Sequence, residues 1–169
     1  MSLIYRFVDS PVGRLKLMAS AKGLAAILWH NDSPHRVRLP EDFDLIEDGK
    51  SKILDAAEEQ LQEYFAGERR EFSLPLDLRG TAFQQSVWEA LLAISYGETK
   101  TYGQIAKQLG DPNAVRAVGA ANGRNPVSIV VPCHRVIGAS GKLTGFAGGL
   151  DAKAHLLRLE QVSLFSLRS

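Results

Sequence analysis

The chain has 169 residues, 45% of them hydrophobic and 23% charged, which suits one ordinary globular domain or two small ones. No apolar run reaches the length of a membrane span, Met1-Ser2-Leu3-Ile4-Tyr5-Arg6 is too short and polar for a secretory signal, and a single cysteine excludes an internal disulfide. The simplest reading is a cytoplasmic protein kept reduced, with no membrane partner. The four histidines, His30, His35, His134 and His155, are scattered, so no metal site is expected. The net charge of +1 divides unevenly: residues 1–80 carry 11 Lys/Arg against 14 Asp/Glu, and residues 81–169 carry 9 against 5. The mildly basic second part suits a contact with phosphates without requiring one.

Residues 3–9 alternate as a strand does, and Ser10-Pro11-Val12-Gly13 reads as a turn. Residues 14–20, with Leu15, Leu17 and Ala19 on one face, and residues 24–29, ending at Trp29, continue an antiparallel meander. Residues 31–49 are polar and read as loop around the acidic cluster Glu41-Asp42-Phe43-Asp44, with Arg36-Val37-Arg38-Leu39 as a candidate edge strand. A helix is predicted over 51–66, from Ile53, Ala57, Leu61 and Tyr64 at helical spacing, with Ser51 as N-cap and Gly67 at the C-terminal end. Residues 68–80 read as an extended linker, so the boundary falls between a domain at 1–78 and a second at 79–169.

The second part opens with two capping boxes, Thr81-Ala82-Phe83-Gln84 and Thr101-Tyr102-Gly103-Gln104, each starting a helix. Gly110-Asp111-Pro112-Asn113 turns the chain into a third helix near Ala114, giving a helix-turn-helix. Only Arg116 and Asn122 project far from that third helix. Its small residues suit either tight helix packing or a shallow, sequence-tolerant minor-groove contact. Ile129-Val130-Val131 reads as a short buried strand, ended by Pro132, and with the loop after it would supply a wing. Cys133 and His134 follow. A lone cysteine is most often a small buried hydrophobe, yet a cysteine beside a histidine is also the minimum equipment for a thiolate nucleophile. Neighbours on an extended chain point apart, so a turn at Pro132 or a bridging water is needed to connect the two. Gly138–Gly149 holds five glycines in twelve residues, a flexible surface or a close backbone approach to a ligand. Residues 151–160 form a last helix, closed by Glu160.

Pro132-Cys133-His134-Arg135 between two Val/Ile runs, Gly145-Phe146-Ala147-Gly148-Gly149 downstream, and Arg116 through Pro126 upstream together resemble the O6-alkylguanine-DNA alkyltransferases. The resemblance is dense from about Thr81 to Glu160. It implies a ribonuclease-H-like α/β support domain of antiparallel sheet plus helix, followed by a mostly α winged helix-turn-helix domain. It implies a monomer, without cofactor, that acts on double-stranded DNA carrying O6-alkylguanine, with O4-alkylthymine as a further candidate lesion. The base is flipped out and its alkyl group passes irreversibly to Cys133, once per molecule.

The resemblance also assigns residues. His134 takes the thiol proton through water, Glu160 orients His134, and Asn125 braces the turn carrying the cysteine, as Arg135 is expected to do. Tyr102 contacts the base and donates a proton toward N3. Arg116 is inserted into the duplex where the guanine left, with Ala121 and Asn122 on the same DNA-facing helix. Val136, Gly145, Phe146, Ala147 and Gly148 surround the flipped base. Phe146 and Ala147 stand where some members have tyrosine and serine, and Asn122 where some have an apolar residue. A cysteine hydrolase using Cys133, His134 and Glu160, and a module that binds alkylated DNA without reacting, are the rival readings.

Overall fold

The structure is a computed structural model, and it describes residues 2–33, 35–39, 44–47 (backbone only) and 50–162. Three strands, β1 (Ser2–Val8), β2 (Leu15–Ala19) and β3 (Leu24–Trp29), form the expected antiparallel meander. A fourth, β4 (Asp44–Glu47), lies parallel to β1, so the sheet is mixed, in the order β3-β2-β1-β4. This corrects the reading of residues 44–47 as loop. Of the acidic cluster, residues 41–43 and the Asp44 side chain lie outside the described residues. Arg36–Leu39 forms no strand either. Arg36 instead turns its side chain toward the second half of the chain, where it donates to the carbonyls of Gly123 and Asn125.

The alternation along β1 and β2 sets two faces. Leu15, Leu17 and Val8 face helix α1 (Lys52–Phe65), and Arg6 on that side reaches Asp55 and Glu58. Leu3, Tyr5, Met18 and Leu28 gather on the other face. Ser51 caps α1 by accepting from the Leu54 N–H, and Gly67 follows the helix at φ +78°, a conformation that suits glycine. The linker after α1 stays extended and bridges the outer edge of β3, with the Leu24 N–H donating to Pro75 O.

Both predicted capping boxes are present, on α2 (Ala82–Leu92) and α3 (Tyr102–Gln108). Helix α4 (Val115–Gly123) completes the helix-turn-helix, and α5 (Leu150–Leu159) is the last helix. A short parallel pair, β5 (Lys100–Thr101) with β6 (Val136–Ile137), ties the start of α3 to the segment after the cysteine. One apolar core runs through both halves: Leu17 and Ile27 of the sheet, Leu61 of α1, Trp88 and Leu91 of α2, Val118 of α4 and Leu156 of α5. Each such fully buried side chain contributes about 1.5–3 kcal/mol, so the two halves hold each other in place around the cysteine.

The buried strand expected at 128–131 is not one. Ile129 sits at φ +76°, left-handed and costly for a β-branched residue. The Val130 and Val131 N–H groups donate back to Ser128 O and Val127 O instead of to a ladder. The apolar run is buried as read, but it coils beneath the cysteine and supplies no wing strand.

Candidate active site around Cys133

The coil at 125–131 delivers the chain into a 3₁₀ turn, Cys133–Arg135. Asn125, fully buried, pins that coil at both ends: its Nδ2 donates to Val131 O at 2.8 Å, and its Oδ1 accepts from the Val127 N–H at 3.0 Å. Cys133 is 5% exposed. Burial pushes its thiol pKa up, against the pull of hydrogen bonds from Asn125 and Ser128 and of the positive charges of Arg36 and Lys153. A thiol in this setting needs a base to become a nucleophile.

The 3₁₀ turn sends the next two side chains inward, onto Glu160. His134 Nε2 lies 2.7 Å from Glu160 Oε2, Arg135 Nε donates to Oε1 at 2.7 Å and Nη2 to Oε2 at 3.1 Å, and the Tyr64 hydroxyl donates to Oε2 at 2.5 Å. Against desolvation by burial, hydrogen bonds from His134 and Arg135 and the charge of Arg135 hold the Glu160 carboxyl down at about 2, so it is ionised. Opposite an ionised carboxylate, His134 Nε2 carries the hydrogen and Nδ1 keeps its lone pair. Nδ1 is buried and accepts no hydrogen bond among the described residues. Burial lowers the His134 pKa below its ordinary 6.5, the pull of Glu160 notwithstanding, so the ring is neutral. Arg135 also donates to Ile94 O at 2.6 Å, which fixes the turn to the end of α2.

On its other side Cys133 opens into a cavity of about 140 Å³, lined also by Arg36, Asn122, Gly123, Gly145, Phe146 and Ala147. The glycine-rich loop is therefore folded over the thiol. Two contacts hold it there. Trp29 packs edge-on against Phe146, ring centroids 5.3 Å apart, and lies so close over Gly148 that a Cβ at that position would come within 2.7 Å of the indole. Trp29 in turn donates to Ser128 Oγ at 3.1 Å. Lys153 of α5, fully buried, donates to Val136 O at 2.6 Å and Thr144 O at 3.3 Å, joining the start of the loop to its far limb. Desolvation brings the Lys153 pKa down to about 8. Tyr102, at the first turn of α3, meets Thr144 Oγ1 at 2.7 Å.

Helix α4 presents its expected residues on different sides. Arg116 is exposed and has no carboxylate partner among the described residues. Ala121 is buried beside Trp88, whose indole donates to its carbonyl at 2.9 Å. Asn122, 6% exposed, faces the cysteine cavity with an Oδ1 that accepts no hydrogen bond among the described residues. Thus Cys133, Asn122, Gly145, Phe146 and Ala147 share one cavity, and His134 and Glu160 form a second cluster behind it. Asn125 braces the coil beneath the cysteine, Val136 and Gly148 anchor the loop, and Arg116 stands apart on the surface. Sequence reading missed Tyr64, Arg36, Ser128, Thr144 and Lys153. Tyr64 was legible only as part of an apolar helix stripe, Lys153 only as a helix residue, Arg36 only as part of a candidate edge strand and Thr144 only as part of the glycine-rich loop, and Ser128 gave no signal. Among the described residues no three His, Cys, Asp or Glu gather as a metal site.

Two family descriptions cover nearly the whole chain: the ribonuclease-like domain of 6-O-methylguanine DNA methyltransferase matches residues 3–78, and its DNA-binding domain matches residues 82–162. The chain belongs to this family. The methylated-DNA–protein-cysteine methyltransferase of Mycobacterium tuberculosis is 52% identical over 159 residues, covering 93% of this chain and 92% of the relative. That of Methanosarcina acetivorans is 48% identical over 158 residues, covering 94% and 98%. The crystal structure of M. tuberculosis OGT in complex with DNA superposes with a TM-score of 0.82 at 47% identity, covering 98% of this chain and 96% of that one.

Proposed function

We propose that the protein repairs DNA by direct reversal, moving the alkyl group of an O6-alkylguanine in duplex DNA onto Cys133. Family membership carries the reaction class. The observation that carries the residue roles is a buried thiol followed directly by a buried histidine that is held on Glu160 at 2.7 Å and whose Nδ1 accepts no hydrogen bond among the described residues.

The duplex lies on the helix-turn-helix, Arg116 fills the space left by the flipped nucleotide, and the base enters the cavity under the 145–148 loop. His134 Nδ1 takes the Cys133 proton through water, and Glu160 stabilises the imidazolium that forms. Sγ attacks the alkyl carbon in line. The S–C bond forms as the C–O6 bond breaks, and the electron pair passes into the guanine ring. Tyr102, positioned by Thr144, donates a proton toward N3. A thioether is a poor leaving group and the site holds no second nucleophile, so each molecule acts once. Phe146, backed by Trp29, forms the apolar wall for the base, and the Asn122 amide offers it a polar partner.

The same reading takes residues 1–78 as a supporting domain and 79–169 as the DNA-binding and transfer domain of a cytoplasmic monomer. No described helix is long and apolar enough to cross a membrane. The test is a titration of protein into a duplex carrying one O6-methylguanine, with the lesion counted by nucleoside chromatography. One lesion lost per protein molecule, and none with Cys133→Ala, is the expected result. Continued loss beyond one equivalent, or persistence of the lesion, contradicts the proposal.

A further inference from the structure

Four cations without a carboxylate partner among the described residues gather in one place on this molecule. Arg6, Arg36, Arg69, Arg79 and Arg135 are each paired with an acid. Arg14, Lys16, Arg38 and Arg124 have no such partner among the described residues, and all four line one cleft of about 1080 Å³. The cleft lies on the sheet face turned away from α1, along the cross-strand row Phe7, Lys16 and Leu28. His30 and His35 share its wall. Asp32, the acid among its lining residues, is occupied by Arg36, which grips both of its oxygens at 2.6 and 2.8 Å.

Aromatic rings take the place of carboxylates. The Arg14 guanidinium stands 3.9 Å from the Phe7 ring centroid and Lys16 Nζ stands 4.7 Å from that of Tyr5. Such a contact orients a cation without cancelling its charge, so the row stays positive toward solvent. The cleft is also joined to the reactive cavity. Arg124 immediately follows α4, and its Nη1 donates to His35 O, while Arg36 bonds the carbonyls of Gly123 and Asn125 on either side. Gly123 and Arg36 both line the Cys133 cavity. A polyanion with one unit in that cavity therefore has a positive track leading away from it.

We propose that this cleft takes the phosphodiester backbone of the same duplex, beyond the nucleotide that enters the Cys133 cavity, so that the N-terminal half adds directly to DNA affinity. The inference rests on the transfer reading for what occupies the cavity. The contact assigned is to phosphates, whose charge the Arg and Lys side chains of the lining neutralise.

The experiment is the salt dependence of equilibrium binding to an unmodified duplex of about 30 base pairs, long enough to run past a single helical turn of contact. Wild type is compared with a triple variant, R14Q/K16Q/R38Q, and with Arg14→Gln and Arg38→Gln singly. Each phosphate contact adds about 0.9 to the slope of log K against log salt, so each single variant is expected to lower the slope by about 0.9 and the triple variant by roughly 2–3. Transfer from the free base O6-benzylguanine, which has no backbone to seat in the cleft, is expected to be equal in all four proteins and shows that the variants are folded. Equal slopes in wild type and triple variant overturn the proposal. Failure of benzyl transfer in every protein counts against the transfer reading alone, because the slopes still decide the cleft.

Discussion

Cys133 sits between two walls built on opposite rules. Behind it, the Glu160 carboxylate is saturated: Tyr64, His134 and Arg135 all donate to it, and all are buried. In front, the cavity wall leaves a polar group unspent, with Asn122 Oδ1 buried and without a partner among the described residues, and the loop is held by Trp29 against Phe146 and by Lys153 at the Thr144 carbonyl. A closed cluster of charges is costly to assemble but fixes its members in one geometry, which is what a base acting on a neighbouring thiol requires. An unspent acceptor costs stability until something arrives to pair with it, which is what a binding wall requires. The one atom left open in the rear cluster, His134 Nδ1, is the atom to which the mechanism sends a proton.

The contrast breaks most directly at Glu160. Glu160→Gln leaves Arg135 as a buried charge without its anion, and the expected cost is about 3–5 kcal/mol by urea denaturation. Single-turnover transfer should slow by about 10²–10⁴ as the base loses its support. A variant as stable and as fast as wild type would mean that the cluster is packing alone. The next effect is acid sensitivity. Glu160 is held at about 2, below the ordinary 4.5, so its anion stabilises the fold fully above 4.5 and loses that contribution as pH falls toward 2. The Glu160 contribution is on the order of 3 kcal/mol. His134, lowered from 6.5, favours the folded state while neutral and begins to oppose it as pH falls below 6.5. Both signs agree, so stability measured across pH 7 to 2 should decline from about 6.5 downward, and Glu160→Gln should flatten its lower part.

Smaller effects separate the walls further. Tyr64→Phe removes one donor from Glu160, with an expected loss of about 2 kcal/mol for a hydrogen bond to a charged group. The carboxylate then attracts the imidazolium more strongly, so the acid limb of the transfer rate should move to higher pH, a shift that simple loss of packing does not produce. Asn122→Leu works the other way. Removing an unpaired buried amide should raise stability by about 1 kcal/mol while slowing transfer, and a variant both less stable and equally fast would assign Asn122 to the core.

The parts of the fold legible in the sequence were those set by neighbours in the chain. The capping boxes at Thr81 and Thr101, the Ser51 cap and the alternation of β1 to β3 are rules over a few residues, and all stand in the structure. Strand β4 was hidden because its pairing is with β1, some forty residues earlier, and its own stretch is acidic. The coil at 128–131 was misread because an apolar run reports burial and not backbone shape, and Ile129 at positive φ contradicts its own propensity. In the site, the cysteine and histidine are adjacent in sequence, but Tyr64 meets Glu160 across 96 positions. Lys153 is an ordinary helix lysine until the loop it tethers is folded over it. Local chemistry names the candidate pair, and only tertiary structure shows what holds it.

The most direct test of the account is to locate the alkyl group. After reaction with a duplex carrying one O6-methylguanine, peptide mass spectrometry should find a single added methyl on the peptide containing Cys133, with Sγ as the acceptor. The same experiment on His134→Ala should give the product on the same atom, far more slowly. A methyl on any other residue, or wild-type protein left unmodified while the lesion disappears, would contradict the assignment of Cys133 as the acceptor.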